Sequence, residues 1–201
     1  MKTQQHKPFS LFRWILDSFW GWLLGIILIL VLSSLLDSIG IENVQFYVGM
    51  GVITGISLAQ YRHIRNYFHQ NISWIVWSIF SFSIPFILLD GIKYYGLYSF
   101  SQNSLVFCVC MGTLMLSINQ YFLLRKTISH PLSWLVFSIV GWSFAGLATF
   151  ALEYIPLLIK NNWIVFSINL ALILSGGILI GISTGMAVQK ILKETDTSAH
   201  H

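Results

Sequence analysis

Charge is what this chain has least of. Of its 201 residues only 9% are Asp, Glu, Lys or Arg, while 56% are hydrophobic and the mean hydropathy is +0.74. Soluble domains carry about 25% charged residues, so a chain this poor in charge cannot cover its surface for water. Cysteine is scarce too. Cys108 and Cys110 are the only two, and residues two apart on a helix point to different sides. They read as small packing residues, not as a disulfide. The sequence has no C-x-x-C, no H-E-x-x-H and no P-loop. His63, His69 and His130 lack metal-ligand spacing. One literal catalytic match exists, Gly181-Ile-Ser183-Thr-Gly185, of the form G-x-S-x-G. A nucleophile elbow needs a strand, a sharp turn and a helix, whereas this match falls inside a long apolar run. The expectation is a protein that is not an enzyme and carries neither cofactor nor metal.

What is present is apolar length. A helix needs about 20 apolar residues to cross the hydrocarbon core of a bilayer. Six blocks qualify or come close: Trp14–Leu36, Val44–Ala59, Trp74–Leu89, Leu105–Leu124, Trp134–Leu152 and Trp163–Val188. The second and third are short. The connections are too brief for a soluble domain, so residues 14–193 read as one all-α, six-span transmembrane bundle. Residues 1–13 form a polar tail before it, and residues 194–201 a tail ending in what looks like a tag remnant, SAHH.

The basic residues orient the bundle. Lys2, Lys7 and Arg13 precede the first block, Arg62 and Arg65 follow the second, Arg125 and Lys126 the fourth, and Lys190 and Lys193 the sixth. Only Lys93 and Lys160 fall on the other side. Both termini are therefore expected in the cytoplasm, in a bacterial inner or internal membrane. The net charge of +4 follows from this asymmetry and calls for no nucleic acid. The lipid bilayer is the one certain partner on this reading. A second copy of the chain, or other membrane proteins, are the further partners to consider.

A phrase recurs along the chain. "NISWIVWSIFSFS" (71–83) returns as "PLSWLVFSIVGWS" (131–143), and the first block fits the same frame from Trp14. The pattern W-[IL]-[LV]-x-S-x-x-[GS]-[WF] opens the odd blocks. The even blocks close on "AQYRHIR", "NQYFLLR" and "VQKILK". Gln60 and Gln120 each lie 46 residues after their Trp, and Gln189 lies 55 after Trp134. The unit is a two-helix hairpin written three times, with an insertion in the third copy. Each hairpin returns to the side it left, so the copies form parallel repeats.

Four groups of residues follow from this frame. Trp14, Trp74 and Trp134 sit where odd helices enter the membrane and read as interfacial anchors. Trp163, Tyr94, Tyr95 and Tyr98 would serve the other interface. Gly51 and Gly55, Gly112, and Gly177, Gly181 and Gly185 are spaced for close helix packing, as in a glycine zipper. Gln60, Gln120 and Gln189, together with Asn169, are either interhelical hydrogen-bonding groups or the lining of a solute pathway. Asp37, Asp90 and Glu153 follow their tryptophans by 23, 16 and 19 residues, which places them within an arc of roughly 60° on equivalent helices. Asp90 is the deepest. Asp17, four residues after Arg13, has the spacing of a local ion pair.

The tandem of small residues, Gln and Leu-Arg followed by W-x3-S-x2-G-W is clearest in "GTLMLSINQYFLLRKTISHPLSWLVFSIVGW" (112–142). It resembles repeats of polytopic membrane proteins of unknown role, typical of cyanobacteria. The resemblance implies a multi-pass membrane protein and carries no activity with it. Two functions are expected on the residues. The first is the handling of a small solute or ion, as a transporter, channel or membrane-embedded substrate-binding subunit. The second is a non-catalytic scaffold or accessory subunit packed against other membrane proteins. If the first holds, Gln60, Gln120, Gln189 and Asp90 converge on an internal cavity. If the second holds, the centre is packed.

Overall fold

The computed structural model describes residues 9–42, 44–96, 102–128 and 131–198, without the side chains of residues 102, 103, 153 and 196–198. Tyr98 and His130 lie outside the described residues. Among the described residues every regular element is a helix: α1 (Leu11–Ser38), α2 (Phe46–Phe68), α3 (Ser73–Tyr94), α4 (Gln102–Leu124), α5 (Leu132–Leu158) and α6 (Asn162–Ser198). Each helix covers one of the six apolar blocks and runs past at least one of its ends, because the polar flanks continue the same backbone hydrogen bonding, while α2 starts two residues inside its block. Ser10 caps α1, its Oγ accepting from the Arg13 N–H at 3.4 Å. His69 ends α2 in the left-handed region (φ 51°), a common way to stop a helix.

Each helix packs on its neighbours in the chain, and α6 closes back on α1. The result is an up-and-down ring of six. Two buried clusters fill it. One, at the end where α1, α3 and α5 begin, joins Trp14, Trp74 and Trp134 to Ile64, Leu124 and Val188. The other joins Trp22, Phe82 and Trp142 to Ile56, Leu116 and Ile180. All twelve positions marked by the repeated phrase are buried: Trp14, Ser18, Gly21 and Trp22; Trp74, Ser78, Ser81 and Phe82; Trp134, Ser138, Gly141 and Trp142.

The glycines set how closely helices approach. A Cβ on Gly55 would run into the Gly21 carbonyl oxygen and lie 2.5 Å from the Gly25 nitrogen. α1 and α2 therefore touch backbone to backbone, and Gly51 faces Gly25 and Ile29 beside them. On the other flank of α1, Gly177 lies under Trp22, Gly181 against Ile15 and Gly185 against Leu11 and Trp14. Gly112 abuts the Phe82 carbonyl across α3 and α4. The glycine-lined faces are thus spent within this chain.

Five helices, α1, α3, α4, α5 and α6, are long and apolar enough to cross a membrane, and α2 is not. On this criterion the described residues show five of the six expected crossings. The reason lies in what α2 buries. Beside Ile53, Ile56, Ile64 and Phe68 it buries Gly49, Gly51, Gly55, Ser57 and Gln60, and Arg62 and Arg65 lie in its last turns. Outward, the bundle is strongly apolar, with Leu30, Phe80, Leu88, Phe107, Leu147 and Phe166 among its exposed side chains.

Candidate functional site: a buried polar layer beneath three tryptophans

The three entry tryptophans do not line the periphery. Trp14, Trp74 and Trp134 are at most 1% exposed and meet one another inside the ring. Trp134 stands edge-on between the other two, with ring centroids 6.2 Å from Trp14 and 5.3 Å from Trp74. Those separations are direct contact. The expectation of interfacial anchors is therefore corrected. An indole at a helix entry serves equally as a belt or as a plug, and here Gly185 leaves room for the Trp14 ring on the inner side. The aromatics at the far ends, Trp163, Tyr94 and Tyr95, are exposed as expected.

A layer of amides and hydroxyls lies against these rings. The Trp134 Nε1–H donates to Gln120 Oε1 at 3.0 Å, and Gln120 Nε2 donates to Ser78 Oγ at 2.9 Å. One buried glutamine so ties α5, α4 and α3 together. One turn away Ser117 donates to Ser138 at 3.0 Å. The Trp14 Nε1–H donates to Thr184 Oγ1 at 3.0 Å, and Thr184 in turn donates to its own helix at the Ile180 carbonyl. Gln60 Nε2 approaches the same Thr184 oxygen at 3.5 Å, joining α2 to that group. Gln60, Gln120 and Thr184 are all buried.

Gln189 does not belong to this layer. It is exposed, five residues beyond Thr184, and the expected equivalence of Gln60, Gln120 and Gln189 fails at the third member. Thr184 does for Trp14 what Gln120 does for Trp134. A second pair of bonds sets the same register. Asn119 Nδ2 donates to the Trp77 carbonyl at 3.3 Å and to Ser81 Oγ, while Ser183, one before Thr184, donates to the Phe137 carbonyl. Trp77 and Phe137 each lie three residues after an entry tryptophan. Ser183 is thus a packing hydroxyl within α6, and the G-x-S-x-G match has no elbow.

The acids are elsewhere. Asp90 sits at the opposite end of the bundle, half-buried. Its carboxylate accepts the Gln45 and Phe46 N–H groups at 2.8 Å and so caps α2 from a neighbouring helix. Asp37 is exposed at the end of α1. Glu153 lies on α5 with its side chain outside the described residues. Asn169 Oδ1 is buried without a hydrogen-bond partner among the described residues, so no interhelical bond from that atom supports its expected tying role. Asp17 pairs with His63 on α2, at 2.5 Å, rather than with Arg13 in its own helix. Cys108 donates to the Pro85 carbonyl, and Cys110 is exposed.

Among the described residues no carboxylate, imidazole or thiol makes a hydrogen bond within this layer. What it can do is hold helices in register through hydrogen bonds made in a dry interior. Two hollows have a defined lining. One opens between the start of α1 and the end of α2. The other, about 450 Å³, is an apolar recess between α4 and α5 lined by residues such as Val109, Leu114, Ile139 and Phe150. Neither is lined by the three entry tryptophans, Gln60, Gln120 or Asp90. Thr184, Ser183, Asn119 and Gln70 were missed by sequence reasoning. Gln70 donates to Leu123 O and Thr127 Oγ1, tying the α2–α3 turn to α4. The signal that marks the first three is the alignment of "ISLAQ", "LSINQ" and "IGIST", in which Ile56, Leu116 and Ile180 are all buried. No protein-family model, curated protein or solved structure matches this chain.

Proposed function

We propose that this chain is an integral membrane protein that crosses the bilayer six times, as three two-helix hairpins set the same way up with both termini cytoplasmic. On this reading it is a non-conducting scaffold or accessory subunit. α2 counts as a crossing because its 23 residues extend about 34 Å, enough for a hydrocarbon core of about 30 Å, and its polar face is turned inward. The repeat reading is supported by spacing. Thr184 follows Trp134 by 50 residues, against 46 for Gln60 after Trp14 and Gln120 after Trp74. The insertion in the third hairpin then shrinks from nine residues to four, about one helical turn.

The observation that carries the functional reading is the row of three buried indoles, with Trp134 in contact with both Trp14 and Trp74, where a solute path through the ring would have to open. Gln60 and Gln120 have hydrogen-bond partners inside the bundle, and Asp90 caps a helix. The test is a flux assay on the purified chain in sealed vesicles, with K⁺, Na⁺ and protons as permeants. Leak equal to that of protein-free vesicles is expected. Flux above that level, changed by Trp134→Phe, would overturn the reading. The second reading, solute handling, draws on one observation: Ser57, Ser83, Thr113 and Ser117 add further buried hydroxyls to the interior.

A further inference from the structure

At the tryptophan end, the first turns of α1 and the last turns of α2 enclose a cleft of about 570 Å³. Its walls are Ser10, Arg13 and Asp17 from α1 and Arg62, His63, Asn66 and Tyr67 from α2. That volume suits a small polar ligand. Asp17 is engaged by His63, so its charge is held on one wall. Arg13 and Arg62 are exposed and have no ion-pair partner among the described residues. The positive end of α1 and the negative end of α2 meet at the cleft, so the two guanidinium groups set its positive character. Phe9 packs on Trp14 and Tyr67, and Trp14 packs on the His63 ring, so the inner wall is a firm aromatic surface. Beside the cleft, Phe12, Leu16 and Leu58 are exposed apolar side chains.

We propose that this cleft binds a phosphate-bearing anion, supplied in a membrane by the headgroup of an anionic phospholipid. Two guanidinium forks match the oxygens of a phosphate diester. The exposed apolar residues next to them give the attached acyl chains a surface to follow. Basic pockets between helices at a membrane boundary favour such headgroups. The site stands independently of whether the bundle conducts, so its failure would leave the scaffold reading intact.

The test counts lipids retained by the intact, detergent-purified full chain in a mass measurement, with phosphatidylglycerol, phosphatidylcholine and inorganic phosphate as probes. Saturable retention of phosphatidylglycerol over phosphatidylcholine is expected. The double variant Arg13→Gln/Arg62→Gln should weaken it about tenfold, the scale of a lost charge-assisted contact. The pair Arg125→Gln/Lys126→Gln, outside the cleft, should leave it unchanged. Displacement of the lipid by millimolar phosphate would add the free anion as an occupant. Equal loss in both doubles, equal retention of the two lipids, or no saturable retention would overturn the proposal. If the glutamine pair fails to fold, Asn66→Asp takes its place. It sets a second carboxylate in the cleft, and an unchanged lipid count would then overturn the site.

Discussion

Thr184 and Gln189 give opposite answers to a single question, namely which residue of α6 supports Trp14. Thr184→Val keeps the shape and removes the hydroxyl. The Trp14 N–H, 3.0 Å from that oxygen and inside a residue 1% exposed, is left without its acceptor. A buried orphaned donor costs about 1–3 kcal/mol. Interhelical hydrogen bonds in membrane proteins average nearer 0.6 kcal/mol because other partners are found. Here Gln60 is already adjacent and can turn its amide oxygen toward the indole. The lower half of the range therefore applies, and we expect a loss of about 1–2 kcal/mol. Gln189→Ala removes an exposed side chain and should fall within about 0.5 kcal/mol of the parent. For a chain of this length 1 kcal/mol corresponds to about 2–4 °C in Tm. A thermal-shift measurement in detergent should thus place Thr184→Val about 2–8 °C below the parent and Gln189→Ala within about 2 °C of it. A larger loss from Gln189→Ala than from Thr184→Val would refute the register argued for α6.

Two further outcomes follow. Gly55→Val drives a branched Cβ into the Gly21 carbonyl and should cost at least about 1–3 kcal/mol by overpacking, whereas Gly91→Ala, with nothing within 4 Å of the new methyl, should gain a few tenths to about 1 kcal/mol; denaturant titration of helical circular dichroism reads both. Asp90→Ala strips the acceptor from the Gln45 and Phe46 N–H groups and should cost about 0.5–2 kcal/mol, read as faster amide exchange confined to the first turn of α2, with no change in vesicle leak.

The helices and the close approach of backbones at the glycines were legible in the sequence, because apolar length and small-residue spacing point to them directly. What stayed hidden depended on partners far apart in the chain. Asp17 has Arg13 four residues away, yet its partner is His63, 46 residues on. Asp90 looks like an intramembrane acid until the start of α2 is brought to it. Matching glutamine to glutamine drew Gln189 into the repeat, although the indole needs only an oxygen, and the threonine hydroxyl supplies it. The tryptophans could be assigned to lipid or to core only once the space beside them was known. α2 reads as a weak span for the same reason that it packs well: small and polar residues face its neighbours.

Side-specific labelling tests directly whether the three hairpins stand the same way up. In a variant lacking Cys108 and Cys110, single cysteines at Ile41, Asn71, Gly96, Lys126 and Lys160 report the turns between successive helices, all at exposed positions. We predict that a membrane-impermeant thiol reagent applied from the cytoplasmic side labels Asn71→Cys and Lys126→Cys, and from the opposite side labels Ile41→Cys, Gly96→Cys and Lys160→Cys. Labelling of Ile41→Cys and Asn71→Cys from the same side would mean that α2 does not cross, and would contradict the three-hairpin arrangement.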